Sequence, residues 1–251
     1  MKRLEIVGLE GLGEVRPGDS LGRLILKACS HQEVDLREGD ILVVAHKVVS
    51  KTEGRVSRLD EIQPSGRALE LAQKLGKDPC LVEVILSESR RIIRMGRGTI
   101  IVETHHGFIC ANAGVDLSNV GQGLVALLPQ EPDRSAREIR EEIRRLSGVA
   151  PGVMISDSFG RPWRLGTVDV AIGVAGFRPV KDYRGMTDRH GYELRASVAA
   201  VADELAAAAE LAMGKRGEIP VVLVRGFEAE PGEGSAQELL RPETEDLFRS
   251  F

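Results

Sequence analysis

Cysteine is scarce in this 251-residue chain, which contains only Cys29, Cys80 and Cys110. Their number is odd and no two of them stand in a CxxC spacing, so we predict neither a disulfide framework nor a zinc site. Each lies in an apolar setting, which is typical of a small core residue. Free thiols favour a reducing compartment, and we predict a cytoplasmic protein.

Long apolar runs and an excess of basic residues are also missing. No stretch approaches the ~20 apolar residues that span a bilayer, and the N-terminus becomes polar too early for a signal peptide. The formal net charge of −4 disfavours general binding to nucleic acid, which depends on a basic surface. We therefore predict no membrane and no nucleic-acid partner, although a local cluster of Arg and Lys can still bind a small anion.

Several common catalytic motifs are absent. The chain has no GxSxG or HExxH sequence, which removes the usual hydrolase and zinc-protease interpretations. The glycines between Val224 and Ser235 fit neither GxGxxG nor a P-loop. They indicate a strand followed by a flexible loop that could cover a site.

What is present is an ordinary globular composition, with 42% hydrophobic and 29% charged residues. Apolar β-branched runs predict strands at Leu4–Val7, Ile41–Val44, Thr99–Val102, Gly152–Ile155, Val168–Val174 and Pro220–Val224. Helices are expected at Ser20–Cys29, Ser65–Leu75, Ser135–Leu146 and Glu193–Met213. These elements lack a strict β-α-β rhythm, so we predict an α+β fold with mixed β-sheets and packed helices. We expect one domain over residues 1–251, with room for two sub-lobes.

Local signals set the expected ends of these helices. Ser65 is a plausible N-cap and Gly76 a stop, while Ser135 begins a capping-box pattern that leads to a stop at Gly148. The alanine-rich helix, closed by Gly214, is expected to pack closely against a sheet or a second subunit. The charges of 138–145 indicate an exposed, salt-bridged face.

Two acidic segments carry the strongest chemical signal. Asp116 stands in a tight loop of small and amide residues, 112–119, and Asp157 follows a buried strand in the segment 155–161. Both would present hard carboxylate oxygens suited to Mg²⁺ or Mn²⁺. The alternative for each is a residue that merely caps a turn, but two such loops in one chain favour a metal site.

A basic segment follows the strand that ends near Val44. Lys47 and Lys51 are four residues apart, so a helical turn would place both on one side. With Arg55 they would form a basic edge suited to a polyphosphate. His46 alone is more often structural than catalytic.

Taken in order, these segments resemble the coenzyme F420-0:L-glutamate ligase family, the gamma-glutamyl ligases that complete a deazaflavin coenzyme. The resemblance covers essentially the whole chain and rests on several separate motifs: Glu10–Leu12, Val49–Arg55, Asn112–Asn119, Asp157–Arg161, Lys181–Asp182, Gly191–Leu194, Val201–Glu204 and Val224–Gly226.

The resemblance implies an intertwined homodimer that joins L-glutamate to coenzyme F420-0 with GTP as co-substrate. Further glutamates would be γ-linked, and the reaction would pass through an acyl phosphate. It also implies two Mg²⁺ or Mn²⁺ ions, and K⁺ as a monovalent cation in some members.

Residue roles follow from the same resemblance. Asp116 and Asp157 would ligate the first metal and Ser158 would contribute to a second, with Lys51 near the phosphates at the catalytic centre. The guanine nucleotide would contact Asn119, the pair His46 and Lys47, and the turn formed by Leu12, Gly13, Glu14 and Val15.

The chain departs from the family pattern in two places. Gly13-Glu14 replaces a more apolar turn, and Ala45-His46-Lys47 replaces a triplet rich in small hydroxyl residues. The segment 241–248 resembles the junction to a flavin-binding nitroreductase-like domain in fused relatives. Because nothing follows it in this sequence, we predict no flavin site.

Two other functions are compatible with these residues. One is a different nucleotide-dependent ligase of acids and amines. The other is a non-catalytic dimer that binds GTP.

Overall fold

Short, strongly apolar segments form the strands, and the amphipathic segments between them form the helices. The computed structural model describes residues 3–216 and 219–248. Its helices are α1 (Leu21–His31), α2 (His46–Thr52), α3 (Gly66–Leu75), α4 (Pro79–Ser87), α5 (Pro132–Ser147) and α6 (Val201–Met213). Its strands are β1 (Glu5–Gly8), β2 (Ile41–Ala45), β3 (Val56–Arg58), β4 (Ser89–Gly96), β5 (Thr99–Thr104), β6 (Ile109–Ala111), β7 (Leu124–Ala126), β8 (Gly152–Arg161), β9 (Arg164–Ala175), β10 (Lys181–Asp182), β11 (Val198–Ala199) and β12 (Val221–Arg225).

The central sheet has five strands in the order β1-β12-β2-β8-β9. Only β2 and β8 run parallel, and the other neighbours are antiparallel. Ile41, Leu42, Val43 and Val44 of β2 are at most 2% exposed, as expected for a strand covered on both faces. The predicted α+β fold with a mixed sheet is therefore confirmed.

The main hydrophobic core lies between this sheet and the helices α1, α5 and α6. The predicted close packing of the alanine-rich helix is confirmed, because Ala202, Ala206 and Ala209 are fully buried in that core. Small side chains allow a helix to approach a sheet closely. The sheet thus accounts for the buried alanines, whereas Ala207 and Ala208 are only half-buried.

A smaller sheet has the order β4-β5-β6, with antiparallel pairing throughout. One of its faces packs against α3 and α4, where Ile100 and Val102 join Leu71, Val82 and Ile85 in a second apolar cluster. The strands β3 and β7 form a separate two-stranded ribbon.

The predicted caps of α3 are confirmed. The Ser65 hydroxyl accepts a hydrogen bond from the backbone N–H of Ala68, and Gly76 ends the helix in the left-handed conformation. Gly148 ends α5 in the same way. The exposed face of α5 carries the expected ion pairs, including Arg134–Glu138 and Arg144–Glu141.

The predicted starts of the two longest helices are wrong. α5 begins at Pro132, so Ser135 lies inside it and donates to Glu53 Oε1 at 2.5 Å instead of capping the helix. α6 begins at Val201 rather than Glu193, because residues before it pair as β11 with β10. Tertiary pairing overrides helix propensity here.

The predicted flexible loop near Ser235 is tied down in the described structure. The Ser235 hydroxyl donates to Asp133 Oδ2 at 2.6 Å, and Gly176 N–H donates to the carbonyl of Glu233 at 2.8 Å. These bonds anchor the segment to α5 and to the end of β9.

The three cysteines are free, and Cys29 and Cys110 are buried. Within residues 3–216 and 219–248, none of the helices is long and apolar enough to cross a membrane.

The contact of α5 with β9 depends on Gly173. A Cβ atom at this position would lie 2.5 Å from the carbonyl carbon of Pro132. We expect Gly173→Ala to lower the free energy of unfolding by about 1–3 kcal/mol, because backbone atoms cannot yield as a flexible side chain can. Urea denaturation of both proteins would measure this loss.

Gly160→Ala is the matched control, since its Cβ would meet no atom within 4 Å. Equal losses of stability in the two variants would contradict the close approach at Gly173.

Candidate functional site

The pairing of β2 with β8 brings His46 beside Asp157. The two strands run parallel, with Ala45 opposite Ser156. The next residue of β2's chain, His46, begins α2, and its Nε2 lies 3.3 Å from Asp157 Oδ1. Carboxyl ends of neighbouring parallel strands are a frequent location for ligand sites.

Asp116 reaches the same place from a different part of the chain. Three residues in the left-handed conformation, Asn112–Gly114, turn the backbone after β6. The backbone of Asp116 then exchanges two hydrogen bonds with Ala126, of 3.0 and 2.8 Å. Its Oδ2 lies 2.8 Å from Lys47 Nζ, and its Oδ1 accepts from Ser118 N–H at 2.7 Å.

Asp116 caps its turn, which was one of the two interpretations of the sequence, and it also pairs with Lys47; its role as a metal ligand stays a prediction. The bond from Ser118 is that of a turn cap, while Oδ2 faces a cation of another element. Because His46 and Lys47 are consecutive, the start of α2 contacts Asp157 with one residue and Asp116 with the next. This start of α2 with its two carboxylates is the candidate site.

His46 is almost completely enclosed, at 2% exposure. Its Nδ1 lies 3.4 Å from the hydroxyl of Ser50, which itself donates to the carbonyl of Leu127 at 2.6 Å. Its Nε2 approaches Asp157 but makes no hydrogen bond among the described residues. The imidazole therefore faces the carboxylate from inside the protein, while Lys47 lies nearer the surface.

Asp157 and Ser158 lie within β8, which continues to Arg161, well past the predicted end at Ile155. Their side chains consequently point to opposite faces of the sheet. The Ser158 hydroxyl donates to Asp169 Oδ1 at 2.5 Å and accepts a hydrogen bond from Lys215. The structure does not bring this hydroxyl together with the carboxylate of Asp157.

Lys51 lies one helical turn after Lys47 in α2, as predicted. It is half-buried, and its ammonium group has no ion-pair partner among the residues that the structure describes. Arg55, in contrast, is engaged with Glu88 at 2.5 Å. Lys51 is therefore the cation of this segment that is available to an anionic ligand.

The remaining predicted nucleotide contacts are divided between core and surface. Leu12 and Val15 are 5% and 6% exposed and belong to the main core, so only Gly13 and Glu14 of this turn present themselves to solvent. Asn119 is exposed in a left-handed conformation at φ 59°. Among the described residues, no hydrogen bond or ion pair connects the turn of residues 12–15 to Asn119.

The electrostatic environment keeps Asp116 ionised. Burial alone would raise the pKa of its carboxyl, but hydrogen bonds from Lys47 and Ser118 outweigh it and lower the pKa from its usual value. In contrast, burial and the nearby charge of Asp157 raise the pKa of the Cys110 thiol to about 12. Cys110 is therefore protonated at neutral pH and is a packing residue beside the site.

Sequence inspection missed Asp169, which is 5% exposed and accepts hydrogen bonds from the hydroxyls of Ser156 and Ser158. A charged residue within the apolar run Val168–Val174 was the available signal. Lys215 was also missed, and it contacts Asp169 at 3.8 Å.

Replacing Lys47 by Met tests the charge balance of the site. In the native protein the lowered pKa of Asp116 contributes stability above its unfolded value of about 3.9, and this contribution is lost as pH falls through the lower folded value. Without Lys47, the carboxyl should have a higher pKa and lose this contribution. A ¹³C NMR titration of the Asp116 carboxyl would measure the shift.

Lys51→Met is the control, because the side-chain partners of Asp116 among the described residues are Lys47 and Ser118 rather than Lys51. An unchanged Asp116 titration in Lys47→Met would contradict the assigned ion pair.

Comparison with known proteins assigns the family. The family profile described as F420-0:Gamma-glutamyl ligase matches residues 11–226. The protein named "Coenzyme F420:L-glutamate ligase" from Methanothermobacter thermautotrophicus is 47% identical over 98% of this chain and 99% of its own length. Proteins of the same name from Methanocaldococcus jannaschii and Methanopyrus kandleri are 46% and 48% identical, over 99% and 98% of this chain and 98% and 97% of their own lengths. The resemblance inferred from the ordered motifs is confirmed: the chain belongs to the F420-0:gamma-glutamyl ligase family.

Proposed function

We propose that this protein joins L-glutamate to coenzyme F420-0 in a reaction that depends on GTP and a divalent metal, and that it adds further glutamates in γ-linkage. The names of its relatives support the substrates. The observation that carries the proposal is the meeting of Asp116 and Asp157 at the start of α2, with Lys51 one turn further along.

The donor set fits a metal that is shared with phosphates. Among the described residues no three His, Cys, Asp or Glu side chains form a complete metal cage. Mg²⁺ commonly binds through one or two carboxylates and completes its coordination with water and substrate phosphates. Asp116 and Asp157 would supply the carboxylates, and a bound Mg²⁺ or Mn²⁺ would screen the charge of the phosphates.

A second ion near Ser158 stays a prediction. Its hydroxyl is engaged with Asp169 and Lys215 on the other face of β8. A second ion would therefore have Asp169 as its nearest carboxylate.

The nucleotide would lie with its phosphates toward Lys47 and Lys51. Both ammonium groups are on α2. A phosphate that binds the Lys47 ammonium group would compete with its ion pair to Asp116, and this would make the Asp116 carboxylate available to the metal. His46 would support Asp157 from beneath. The exposed residues Gly13, Glu14 and Asn119 remain the proposed contacts to the rest of the nucleotide.

The proposed reaction has two balanced steps. The terminal carboxylate of F420-0 takes the γ-phosphoryl group of GTP, which gives an acyl phosphate and GDP. The amine of L-glutamate then attacks the acyl carbon, a C–N bond forms, the C–O bond to phosphate breaks, and phosphate and one proton leave. Lys51 would hold the transferred group in line by its positive charge.

A homodimer is part of the proposal. The β8–β9 hairpin carries Trp163 in its turn and Leu165 at the second position of β9, and these side chains are 82% and 98% exposed. Large apolar side chains so exposed at one tip are characteristic of an interaction surface. The Trp163 ring contacts Phe248, whose side chain is also exposed, at 5.1 Å between centroids.

Asp157→Asn tests the catalytic assignment. We expect the rate of glutamate addition to fall on the order of 10²-fold or more, because an anionic donor to the metal–phosphate centre is lost. Unfolding should change little, since removing one carboxylate relieves repulsion in the metal-free site. The assay combines GTP, Mn²⁺, L-glutamate and glutamate-free coenzyme, and measures by mass spectrometry the product one glutamate heavier, together with GDP.

Asp60→Asn is the matched control, since Asp60 is an exposed carboxylate paired with Arg58. Full activity of Asp157→Asn would contradict the assignment of Asp157 as a metal ligand. If folded, metal-loaded native protein forms neither product, the proposed ligase function is wrong. Nucleotide binding without turnover would indicate a GTP-binding protein instead.

Lys51→Ala tests the phosphate contact. We expect the KM for GTP to rise roughly tenfold, because a charge-assisted contact to phosphate is lost. Steady-state kinetics at saturating glutamate would measure it. Lys74→Ala is the control, because Lys74 is an exposed lysine of α3 that pairs with Glu70, and an equal rise in KM there would contradict a specific role of Lys51.

A further inference from the structure

A row of arginines lies on the outer face of the sheet β4-β5-β6. Arg91 is opposite Glu103 and Arg94 is opposite Ile101 in the β4–β5 register. These residues are on the other side of the sheet from Ile100 and Val102, which pack against α3 and α4. The row continues to Arg97 in the turn between the strands.

Next to this row the surface forms a shallow cavity of about 300 Å³. Its walls come from the end of the hairpin: Arg94, Met95, Gly96, Arg97, Thr99 and Ile101. Arg94 and Arg97 therefore border the cavity, beside Met95 and the half-buried Ile101. Their guanidinium groups can bind the carboxylates of an extended chain that lies along this surface.

Arg97 occupies a position that normally favours glycine or asparagine. The two residues of the turn, Arg97 and Gly98, have φ values of 50° and 74°. Both are in the left-handed region, as in a two-residue hairpin turn of type I′. An arginine in this conformation is less favourable in energy than glycine or asparagine. Its presence therefore favours a functional role more than that of an ordinary surface arginine does.

The row already holds one carboxylate side chain from elsewhere in the protein. Arg91 Nη2 lies 2.7 Å from Glu243 Oε1, and Arg91 Nε lies 2.8 Å from Glu103 Oε2. Arg94 and Arg97 are exposed, and the structure gives them no carboxylate partner within the described residues. The ion pair of Arg91 with Glu243 thus shows how an arginine of this row binds a glutamate side chain. Arg94 and Arg97 are available to bind further carboxylates in the same way.

The row is connected to the candidate site through the sheet. Ile101 is opposite both Arg94 and Ala111, and Ala111 directly precedes the loop that carries Asp116. Two strand spacings separate β4 from β6, which is roughly 10 Å. Arg91 and Arg97 are six positions apart, roughly 20 Å of extended strand.

From these observations we infer that the face formed by Arg91, Arg94 and Arg97 is a subsite for the growing γ-glutamyl chain, with Arg94 and Arg97 as its open carboxylate partners. This inference rests on the proposed function, because only a ligase that adds glutamates produces such a chain. Each added glutamate contributes one free carboxylate, so the charge of the ligand grows along the row. The subsite would thereby favour addition to products that already carry glutamate.

The test uses γ-linked tetraglutamate as the probe in 150 mM NaCl, where loose attraction between exposed charges is largely screened. We expect the double variant Arg94→Gln/Arg97→Gln to bind this peptide at least tenfold more weakly than the native protein by calorimetry. Arg137→Gln is the matched control, because Arg137 is an exposed arginine of α5 that makes no ion pair within the described part of the chain. Its affinity for the peptide should equal that of the native protein.

A second measurement follows the products. With glutamate-free coenzyme, the double variant should add the first glutamate at the native rate, within about twofold, and should yield shorter chains at longer times. The unfolding midpoint should stay within a few degrees of the native value, as for other exposed substitutions.

The outcomes separate the two proposals. No first addition by the native protein would refute the ligase function, whatever the peptide binding shows. Native binding of the peptide by the double variant, no binding by the native protein, or equal losses in Arg137→Gln would each overturn the subsite.

Discussion

The candidate site depends on the parallel pairing of β2 with β8. Parallel neighbours cannot be joined by a tight turn, and here more than one hundred residues separate the two strands in the chain. That long connection contains the whole of the smaller sheet and the loop of Asp116. The same pairing that completes the core therefore also returns Asp157 to the start of α2, beside His46.

Charge balance is the second constraint at this site. Asp116 and Asp157 contact consecutive residues of α2, so each carboxylate has a basic side chain beside it. Lys47 balances Asp116 and lowers its pKa, while His46 contacts Asp157 from within the core. Asp116 is thus kept anionic, and a phosphate that attracts Lys47 would expose this carboxylate to a cation.

The two sheets divide the proposed work between them. The five-stranded sheet supplies Asp157 and fixes α2, whereas the smaller sheet supplies the loop of Asp116 and, on its outer face, the arginine row. Reaction centre and chain-binding face would then be joined through hydrogen-bonded strands and the short segment 112–115. Such a connection keeps their separation constant while the product grows.

Much of the local structure was predictable from the sequence. The apolar runs marked strands such as Ile41–Val44, and Ser65 and Gly76 marked the ends of α3, because these signals act between residues close in the chain. The ordered motifs marked Asp116 and Asp157. The false capping box at Ser135 shows the limit of such signals, since a local pattern does not reveal that Glu53 is nearby to bind the hydroxyl.

The sequence by itself therefore determined the fold class, most of the elements and the family to which the chain belongs. Only the tertiary structure decided which groups face one another. It extended β8 past Ile155, which puts Asp157 and Ser158 on opposite faces, and it placed Asp169 under Ser158. The physical reason is that strand register and sheet order bring distant residues together, and neither is encoded in any short segment of the chain.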